Sequence, residues 1–366
     1  AFYQLRELSK QFNITLVALT EVTISKEDFE KVNIYCAKLE IIRLNWFSKI
    51  VHMLGAFLSN LPFQIGYFYS YRAQKKIKSL IQTNDFKHIY SQLIRTSEYI
   101  KNTHHIPKTI DYMDTLSMGI KRRIDSQSFF KKALFKIEGE RLAKYEREVF
   151  DYFENKTIIS EQDKRIIQHP ENDKIVCIPN GIDARFFEKL NTAQHFDLVF
   201  VGNMSYPPNI EAIEYINAHI LPELKDVNLL ISGSTPAKRI TQIAENNKNI
   251  ELTGLVDDIR TSYAKGKIFI APMFIGTGMQ NKLLEAMAMG LPCITTPLAN
   301  NAIKATHQAN ILVAETKEEF IQHTKELLDN EALRNSIGQN AQEFIKKNYS
   351  WETSVEKLAG LLSTPS

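Results

Sequence analysis

The chain has 366 residues, 44% hydrophobic and 24% charged, which excludes a disordered, collagen-like or low-complexity protein and predicts two domains at roughly 100–200 residues each. Three widely separated cysteines, Cys36, Cys177 and Cys293, indicate a reducing compartment without a disulfide framework or a zinc motif. The net charge of +3 is unevenly distributed along the chain. The number of Lys and Arg residues minus the number of Asp and Glu residues is +7 for residues 1–178 and −4 for residues 179–366.

Hydrophobic periodicity predicts alternating strands and helices in the first half. The spacing of Phe2, Leu5, Leu8 and Phe12 is that of one helix face, so the sequence opens on a helix. Strands are predicted at residues 13–19, 38–44, 87–90, 108–113, 156–160 and 174–178, with a helix beginning at the capping sequence 25–28 and a charged helix over 126–153. No signal peptide is recognisable, and no apolar run reaches the roughly 18 residues of a membrane-spanning helix.

The second half has a more regular rhythm after the turn signal Pro179-Asn180-Gly181. Strands are predicted at residues 196–201, 228–232, 250–253, 267–271, 292–295 and 310–313, and residues 316–362 are helical. This alternation predicts an α/β protein with two doubly wound, Rossmann-like domains facing a cleft. The domains are expected at residues 1–178 and 179–345, with a C-terminal helix at 346–366 packing back toward the first domain.

The most informative segment is a glycine-rich loop between a predicted strand and a predicted helix. The loop, Gly276-Thr277-Gly278-Met279, offers backbone N–H groups and a helix N-terminus to an anion. Lys282 adds a positive charge in the first turn, where the helix dipole disfavours a cation, and Glu285 lies one turn deeper on the same face. Diphosphate at the loop and ribose at the carboxylate would fit a nucleotide diphosphate. The alternative is an ordinary turn before a buried helix, with Lys282 and Glu285 as a surface pair.

Two further glycine loops follow predicted strands at the same sheet edge. Gly202 and Asn203 precede Pro207-Pro208, which suit the first turn of a helix. Gly254-Leu255-Val256 offers backbone groups to a base, while Asp257 is a candidate cap for the next helix. A GxGxxG dinucleotide fingerprint is absent, so a tight βα turn is the alternative interpretation of Gly202.

Taken together, these loops resemble family 4 glycosyltransferases. The likeness is strong over residues 174–366 and weaker over residues 1–173, where 111–117 and 159–161 resemble the bacterial subgroup that makes exopolysaccharides and surface glycans. The motifs that carry it, in order, are Ile178-Pro179-Asn180-Gly181-Ile182-Asp183, Val201-Gly202, Thr253-Gly254-Leu255-Val256, Gly276-Thr277-Gly278 with Lys282, Leu284-Glu285-Ala286-Met287-Ala288, Gly290-Leu291-Pro292 and Tyr349-Ser350-Trp351.

The resemblance implies a GT-B fold whose C-terminal domain binds a UDP- or GDP-sugar donor. It implies transfer with retention of the anomeric configuration, without a metal or another cofactor. The leaving phosphate would take the acceptor proton, while Lys282 and the loop amides stabilise the departing diphosphate. The acceptor would be a glycan or a lipid-linked sugar of a cell-surface polysaccharide, and the enzyme would be cytoplasmic or at the inner face of the membrane.

Two positions depart from the family pattern. The family often has two glutamates eight positions apart, whereas Thr277 stands where the first would be and Glu285 is the second. The family also often has Arg and Lys after the Val-Gly strand, where this chain has Asn203-Met204-Ser205. Lys282 is therefore expected to carry more of the diphosphate contact.

The family's opening strand and its glycine-rich loop do not precede Ala1. Because the first strand of a doubly wound sheet is normally central, its absence would leave two neighbouring strands unpaired. The natural protein is therefore expected to be longer than this sequence.

Candidate acceptor-side residues follow strands of the first half. Asp114 is the first candidate for orienting the acceptor hydroxyl and Asp111 the second, although either would also suit the cap of the following helix. Arg95, which precedes Glu98 and Tyr99, is a candidate contact for a charged acceptor or an exposed helix charge.

An aromatic and basic run at residues 45–78 predicts contact with an anionic membrane that gathers a lipid-linked acceptor; the alternative is core aromatics beside a solvated basic helix. His104, His105 and His307 lack partners at metal spacing. No nucleic-acid recognition module is visible, so no nucleic-acid partner is expected.

Three alternatives to a retaining glycosyltransferase remain open. A sugar-nucleotide 2-epimerase on the same architecture would need more acidic and histidine side chains in the cleft. A catalytically silent scaffold that binds nucleotide or glycan is favoured by Thr277 at the acid position. A periplasmic sugar binder is opposed by the free cysteines and the missing signal peptide.

Overall fold

The computed structural model describes residues 2–124, 129–275 and 279–363, with the backbone alone at residues 129 and 130. The chain divides into two compact units: unit 1 contains Ala1–Pro179 and Trp351–Ser366, and unit 2 contains Asn180–Ser350. The first boundary lies one residue from the expected one, and the second lies five residues further along the chain. Within the described ranges, no helix has both the length and the hydropathy needed to cross a membrane.

Unit 1 alternates strands and helices, and short 3₁₀ turns join several of them. Its elements, in chain order, are α1 Phe2–Leu8, β1 Thr15–Thr20, α2 Lys26–Asn33, β2 Lys38–Arg43, α3 Trp46–Leu58, α4 Phe63–Phe68, α5 Tyr71–Thr83, β3 Ile89–Gln92, β4 Lys108–Asp111, α6 Leu116–Lys121, α7 Phe129–Val149, β5 Asn155–Ile158, α8 Glu161–Lys164 and β6 Val176–Cys177, followed after unit 2 by the C-terminal helix Trp351–Ser363.

The strands of unit 1 form two parallel sheets. β1 pairs with β2 in a two-stranded sheet, and the other sheet has the order β3-β4-β5-β6. All six strands expected from the sequence are present, but they do not form one continuous sheet. In the part of the chain that the structure describes, β1 and β3 each pair along a single edge.

One hydrophobic core nevertheless joins the two sheets of unit 1. Val17 and Leu19 of β1 and Ile42 of β2 pack in the same cluster as Ile89 of β3 and Ile110 of β4. Because a two-stranded sheet is marginal alone, this shared burial is what stabilises β1 and β2.

A second cluster in unit 1 joins the two ends of the chain. Leu8 of α1 and Ile178 pack against Trp351, Val355 and Leu358 of the C-terminal helix. The last helix therefore belongs to the core of unit 1 rather than to the unit that precedes it in the sequence.

Unit 2 has a more regular alternation of strands and helices. They are β7 Phe196–Val201, α9 Pro207–Tyr215, β8 Leu229–Ser232, α10 Lys238–Asn246, β9 Ile250–Leu252, α11 Ile259–Ala264, β10 Gly266–Ala271, α12 Asn281–Ala288, β11 Cys293–Thr295, α13 Pro297–Ile303, β12 Leu312–Val313, α14 Lys317–Asp329 and α15 Glu331–Asn348.

The strands of unit 2 form one six-stranded parallel sheet in the order β12-β11-β10-β7-β8-β9. The chain begins in the centre with β7, moves to one edge through β8 and β9, and returns beside β7 with β10. In such a doubly wound sheet, a ligand crevice opens at the carboxyl ends of the strands where the order reverses. The loops after β7 and β10 therefore define the candidate ligand edge.

The helices beside this edge begin close to where the sequence predicts. Pro207 and Pro208 open α9, and Gln280 is the residue before α12. The prediction that Asp257 caps the next helix is wrong, because the Asp258 carboxylate accepts the backbone N–H of Arg260 at the start of α11. The cap lies one residue later, at the position whose side chain faces the first turn.

Candidate active site

Three glycine-containing loops are joined by backbone hydrogen bonds at the ligand edge of unit 2. The N–H of Gly202 donates to the Ser232 carbonyl at 3.0 Å, and the N–H of Gly233 donates to the Gly254 carbonyl at 2.9 Å. Gly233 has φ +145°, and a Cβ there would lie 1.7 Å from the Gly202 carbonyl oxygen. Only glycine permits this approach, which brings the loops after β7, β8 and β9 together.

The predicted donor-binding residues after β9 lie at the surface of this edge. Gly254 has φ +71°, and nothing lies within 4 Å of a Cβ built on it. The Leu255 side chain is 81% exposed and Val256 is half-buried. The backbone of this loop is therefore accessible to a ligand.

The loop after β7 is closed by two asparagines. The Asn203 carboxamide oxygen accepts the backbone N–H and the hydroxyl of Ser205, at 2.9 and 2.8 Å. The Asn209 amide, which is 2% exposed, donates to the Asn203 carbonyl at 2.8 Å. A Cβ on Gly202 would lie 2.6 Å from Asn209 Nδ2. Gly202 thus leaves room for the Asn209 side chain.

Lys282, in the first turn of α12, reaches across to α9. Its Nζ donates to the Asn209 carboxamide oxygen and, at 3.3 Å, to Gln280 Oε1. The ammonium also lies 5.3 Å from the centre of the Phe200 ring at the end of β7. Asn209 therefore connects the loop after β7 to the lysine that follows β10.

Burial is the main influence on the Lys282 ammonium. It lowers the pKa of Lys282 to about 7, and the nearby Glu285 carboxylate opposes this shift only in part. Near neutral pH the side chain is therefore poised between its two protonation states. An anion placed beside Nζ would favour the protonated form, as expected of a site built for a negatively charged ligand.

Glu285 lies one turn further along α12 and is held by a tyrosine from α11. The Tyr263 hydroxyl donates to Glu285 Oε2 at 2.8 Å, and the Tyr263 side chain is fully buried. Burial raises the pKa of Glu285, although the Tyr263 hydrogen bond and the Lys282 charge both lower it. Lys282 and Glu285 therefore have separate partners inside the unit and are not a surface ion pair.

The glycine-rich loop itself, Gly276-Thr277-Gly278, lies outside the described residues. On either side of it, Met273 and Met279 are buried. Asn180, from the turn that opens unit 2, donates from its side-chain amide to Asn281 Oδ1 at 3.4 Å. The Pro179-Asn180-Gly181 motif thus contributes a contact at the start of α12.

The two acceptor-side aspartates of unit 1 have different surroundings. Asp111, at the end of β4, is 4% exposed; its carboxylate accepts the Tyr90 hydroxyl at 2.6 Å and the backbone N–H of Met113 at 3.0 Å. Burial raises the pKa of Asp111. Asp114 is half-buried and follows Met113, whose φ is +63°. The N-cap residue of α6 is Thr115 rather than either aspartate, and Glu146 accepts the backbone N–H of Ser117 in the first turn.

Arg95 lies in the electrostatic field of Asp114. Its guanidinium donates to Gln64 Oε1 at 2.5 Å and lies 4.9 Å from the centre of the Phe68 ring. Burial lowers the pKa of Arg95, and the Asp114 charge opposes this shift. Arg95 is half-buried, so the alternative of an exposed helix charge is wrong. Glu98 instead accepts hydrogen bonds from Lys101 and Tyr145.

Two residues of the unit 2 site carry no recognised motif. Asn209 could have been suspected as an amide in the first helical turn after Pro207-Pro208. Tyr263 has no such signal, because it comes from another helix, 22 residues before Glu285. Across the described ranges, no three His, Cys, Asp or Glu side chains gather where they could hold a metal ion; His307 Nδ1 accepts the Val313 N–H.

Comparisons with known proteins concern the family and the fold of the chain. Residues 195–330 match the family described as Glycosyl transferases group 1. The chain is also 27% identical over 264 residues to an uncharacterized glycosyltransferase of Methanocaldococcus jannaschii, covering 63% of this chain and 67% of that protein. Residues 195–330 therefore carry a glycosyl transferase group 1 domain, and glycosyltransferase activity is the enzyme activity that these comparisons support.

Solved structures are similar over the full length of the chain. WaaG, a glycosyltransferase involved in lipopolysaccharide biosynthesis, superimposes with a TM-score of 0.69 at 14% identity, covering 100% of this chain and 95% of WaaG. Anabaena HepE in complex with UDP and glucose gives a TM-score of 0.69 at 12% identity, covering 99% and 95%. The fold is thus the mixed α/β GT-B fold with parallel sheets that the sequence resemblance predicts.

Proposed function

We propose that this protein transfers a sugar, with retention of its anomeric configuration, from a nucleotide diphosphate sugar to a glycan or lipid-linked acceptor of a cell-surface polysaccharide. The observation that carries the proposal is the position of the Lys282 ammonium. Lys282 lies in the first turn of α12, at the ligand edge of a doubly wound sheet, and its ammonium donates a hydrogen bond to Asn209 of α9. The complex of HepE with UDP and glucose and the role of WaaG in lipopolysaccharide biosynthesis support a UDP-sugar and a surface glycan.

On the donor side, each group has a distinct task. The N-terminal end of α12 and Lys282 bind the diphosphate, and the Glu285 carboxylate accepts hydrogen bonds from the ribose hydroxyls. Tyr263 orients Glu285 through its 2.8 Å hydrogen bond. Backbone groups of the loops after β8 and β9, where Gly233 and Gly254 have positive φ, read the base.

During transfer, the bond from the anomeric carbon to the β-phosphate oxygen breaks and a bond to the acceptor oxygen forms on the same face. The acceptor hydroxyl proton passes to the leaving phosphate. Negative charge accumulates on the diphosphate, where protonated Lys282 stabilises it more in the transition state than in the bound donor. No metal is needed for this step. In unit 1, Asp114 orients the acceptor hydroxyl and Arg95 contacts a charged acceptor.

A thermal-shift screen of UDP-, GDP- and ADP-sugars tests the donor site. We expect one nucleotide class to raise the melting temperature of the wild-type protein, and Lys282→Ala and Glu285→Ala to lose both this shift and slow donor hydrolysis. Lys248→Ala, which changes an exposed lysine before β9 at the opposite edge of the sheet, is the matched control and should keep both. Stabilisation by no sugar nucleotide would refute the proposal.

Turnover separates a transferase from a binding scaffold. Protein that binds a UDP-sugar but releases no UDP with any glycan or lipid-linked acceptor would favour the catalytically silent alternative. Where product forms, the coupling constant of its anomeric proton reports the configuration, and an inverted product would refute retention.

A further inference from the structure

Helix α3 of unit 1 presents an apolar face to solvent. Its outward side chains are between 47% and 82% exposed, and their spacing places them within an arc of about 140° at 100° per residue. The members of this α3 apolar face are Trp46, Phe47, Ile50, Val51, Leu54, Phe57 and Leu58. The alternative interpretation of these aromatics as core residues is therefore wrong for Trp46, Phe47 and Phe57.

The opposite side of α3 is well anchored, so the outward orientation is fixed by the fold. The Asn45 side chain caps the first turn by accepting the Phe47 N–H at 3.0 Å. Ala56 is 3% exposed. At the other end, the Arg141 guanidinium of α7 donates to the carbonyls of Leu61 at 3.2 Å and Phe57 at 3.3 Å. Rolling the apolar face inward would break these contacts.

The apolar surface continues from α3 onto α7 and is bordered by positive charge. Leu134 and Ile137 are 49% and 42% exposed and share one face of α7 with Arg141, which holds the end of α3. Lys131, also exposed, extends the same stripe.

The exposed apolar area of this surface is in the range that often marks a functional patch. The largest apolar patch on a typical soluble monomer is about 300–600 Å². Trp46, Phe47 and Phe57 alone, each more than half exposed, contribute roughly 300 Å² when an aromatic side chain counts 150–250 Å². The four aliphatic side chains of the face and the α7 stripe add to this area.

We propose that the α3 apolar face docks on an anionic phospholipid membrane, with α3 lying in the plane of the interface. Apolar side chains on one face enter the boundary between headgroups and acyl chains, and the neighbouring basic side chains attract anionic headgroups. The positive border is what favours a lipid surface over an uncharged protein groove. This inference rests on the proposed function only for its purpose, which is to bring unit 1 to a lipid-linked acceptor.

Vesicle sedimentation tests the docking directly. We expect the wild-type protein to pellet with vesicles of phosphatidylcholine and phosphatidylglycerol, and less with phosphatidylcholine alone. Tryptophan emission should shift to the blue on binding as the exposed Trp46 enters the membrane. The other tryptophan, Trp351, is buried in a core at 9% exposure, so its emission should not change. Phe47→Ser with Leu54→Ser should weaken binding by about tenfold or more. Ile34→Ser, which changes an apolar side chain of similar exposure (72%) just after α2, is the matched control and should bind like the wild type.

Each remaining outcome has a defined meaning. Wild-type protein that stays in solution with anionic vesicles, or a double variant that binds as well as the wild type, overturns the proposal. If the wild type is a dimer that does not bind vesicles and the double variant is a monomer, a second copy of the chain covers the face instead and the proposal is overturned. Because the changed side chains are exposed, the melting temperature should not move. Donor-induced stabilisation, measured on the same samples, reports separately on the proposed function.

Discussion

The most direct test of the donor site uses the proton of Lys282. Burial lowers the pKa of this lysine to about 7 in the free protein. A bound diphosphate favours the ammonium, so the pKa in the complex is higher than in the free protein. Below pH 7, Lys282 is protonated before and after binding, and affinity is flat. Above pH 7, the protein must take up a proton to bind, and affinity falls as the pH rises.

The expected size of this effect follows from the linkage relation. Above the free pKa, each pH unit costs tenfold in the dissociation constant, or about 1.36 kcal/mol, until the pKa of the complex is reached. From about pH 7 to pH 9 the donor should therefore bind roughly 50-fold more weakly, a loss of about 2.3 kcal/mol.

Isothermal titration calorimetry in two buffers of different ionisation enthalpy measures both affinity and proton uptake. A UDP-sugar is the appropriate ligand, because free UDP has a terminal phosphate that itself titrates near pH 6. Uptake should rise from almost none at about pH 6 to roughly half a proton at pH 7 and about 0.9 at pH 8.

Lys282→Arg is the control that isolates the titration. A guanidinium stays charged throughout this range, so the variant should bind with a flat pH profile even if its affinity is lower. Lys248→Ala should retain the wild-type slope. Constant wild-type affinity across this range, or an unchanged slope in Lys282→Arg, would refute the assignment of the titrating group.

Three further changes probe individual contacts. Gly202→Ala would place a Cβ 2.6 Å from the Asn209 amide and should reduce donor-induced stabilisation. Gly55→Ala, whose new Cβ would have nothing within 4 Å, should instead raise the free energy of unfolding by about 0.5–1 kcal/mol. Thermal melts of both variants with and without donor measure the two effects. Tyr263→Phe removes the buried hydroxyl that Glu285 accepts, which should lower stability in urea by about 1–3 kcal/mol, and unchanged urea midpoints would contradict this. Burial raises the pKa of Glu146 to about 7, above its unfolded value, so the wild type should lose about 3 kcal/mol of stability as pH rises from 4.5 to 7 and beyond, while Glu146→Gln should not; urea midpoints on either side of that range decide it.

The fold of unit 2 could be predicted from the sequence because the last four residues of its central strands β7 and β10 are buried on both faces. The predicted strand 196–201 coincides with β7, and 267–271 falls one residue short of β10. Such continuous apolar runs, bounded by glycine or proline, leave little choice of element. The start of α12 after Gln280 was equally clear from the glycine-rich loop before it.

Contacts between distant residues were not readable in the same way. The Asp111 carboxylate looks like a loop acid in sequence, yet Tyr90 on the neighbouring strand donates to it in a buried site. Asn209 acquires its role only when the sheet brings the loops after β7 and β10 side by side. Neither partner lies at a fixed sequence spacing, so only the tertiary fold identifies it.

The division of unit 1 into two sheets could not be predicted from local sequence patterns either. A strand's periodicity records which faces are buried but not which neighbour it pairs with. β1 and β3 have the expected apolar residues and share a core, although no ladder between them is present in the described residues.

The chain passes between its two units twice, before Asn180 and after Ser350. On the unit 2 side these points are adjacent, since the Ile182 N–H donates to the Tyr349 carbonyl at 2.9 Å and Ile182 bridges to Ser350. Unit 2 is therefore a domain inserted into unit 1, with its own ends held together. Its insertion costs unit 1 little more chain entropy than a short loop would.

This topology sets an order of events on the ribosome. Unit 2 is complete when Ser350 emerges and can then fold alone. Leu8 and Ile178, synthesised much earlier, must wait for Trp351 and the rest of the C-terminal helix before their cluster closes. The apolar side chains of this cluster therefore stay uncovered until the C-terminal helix emerges, whereas the other core of unit 1 contains only residues that precede unit 2.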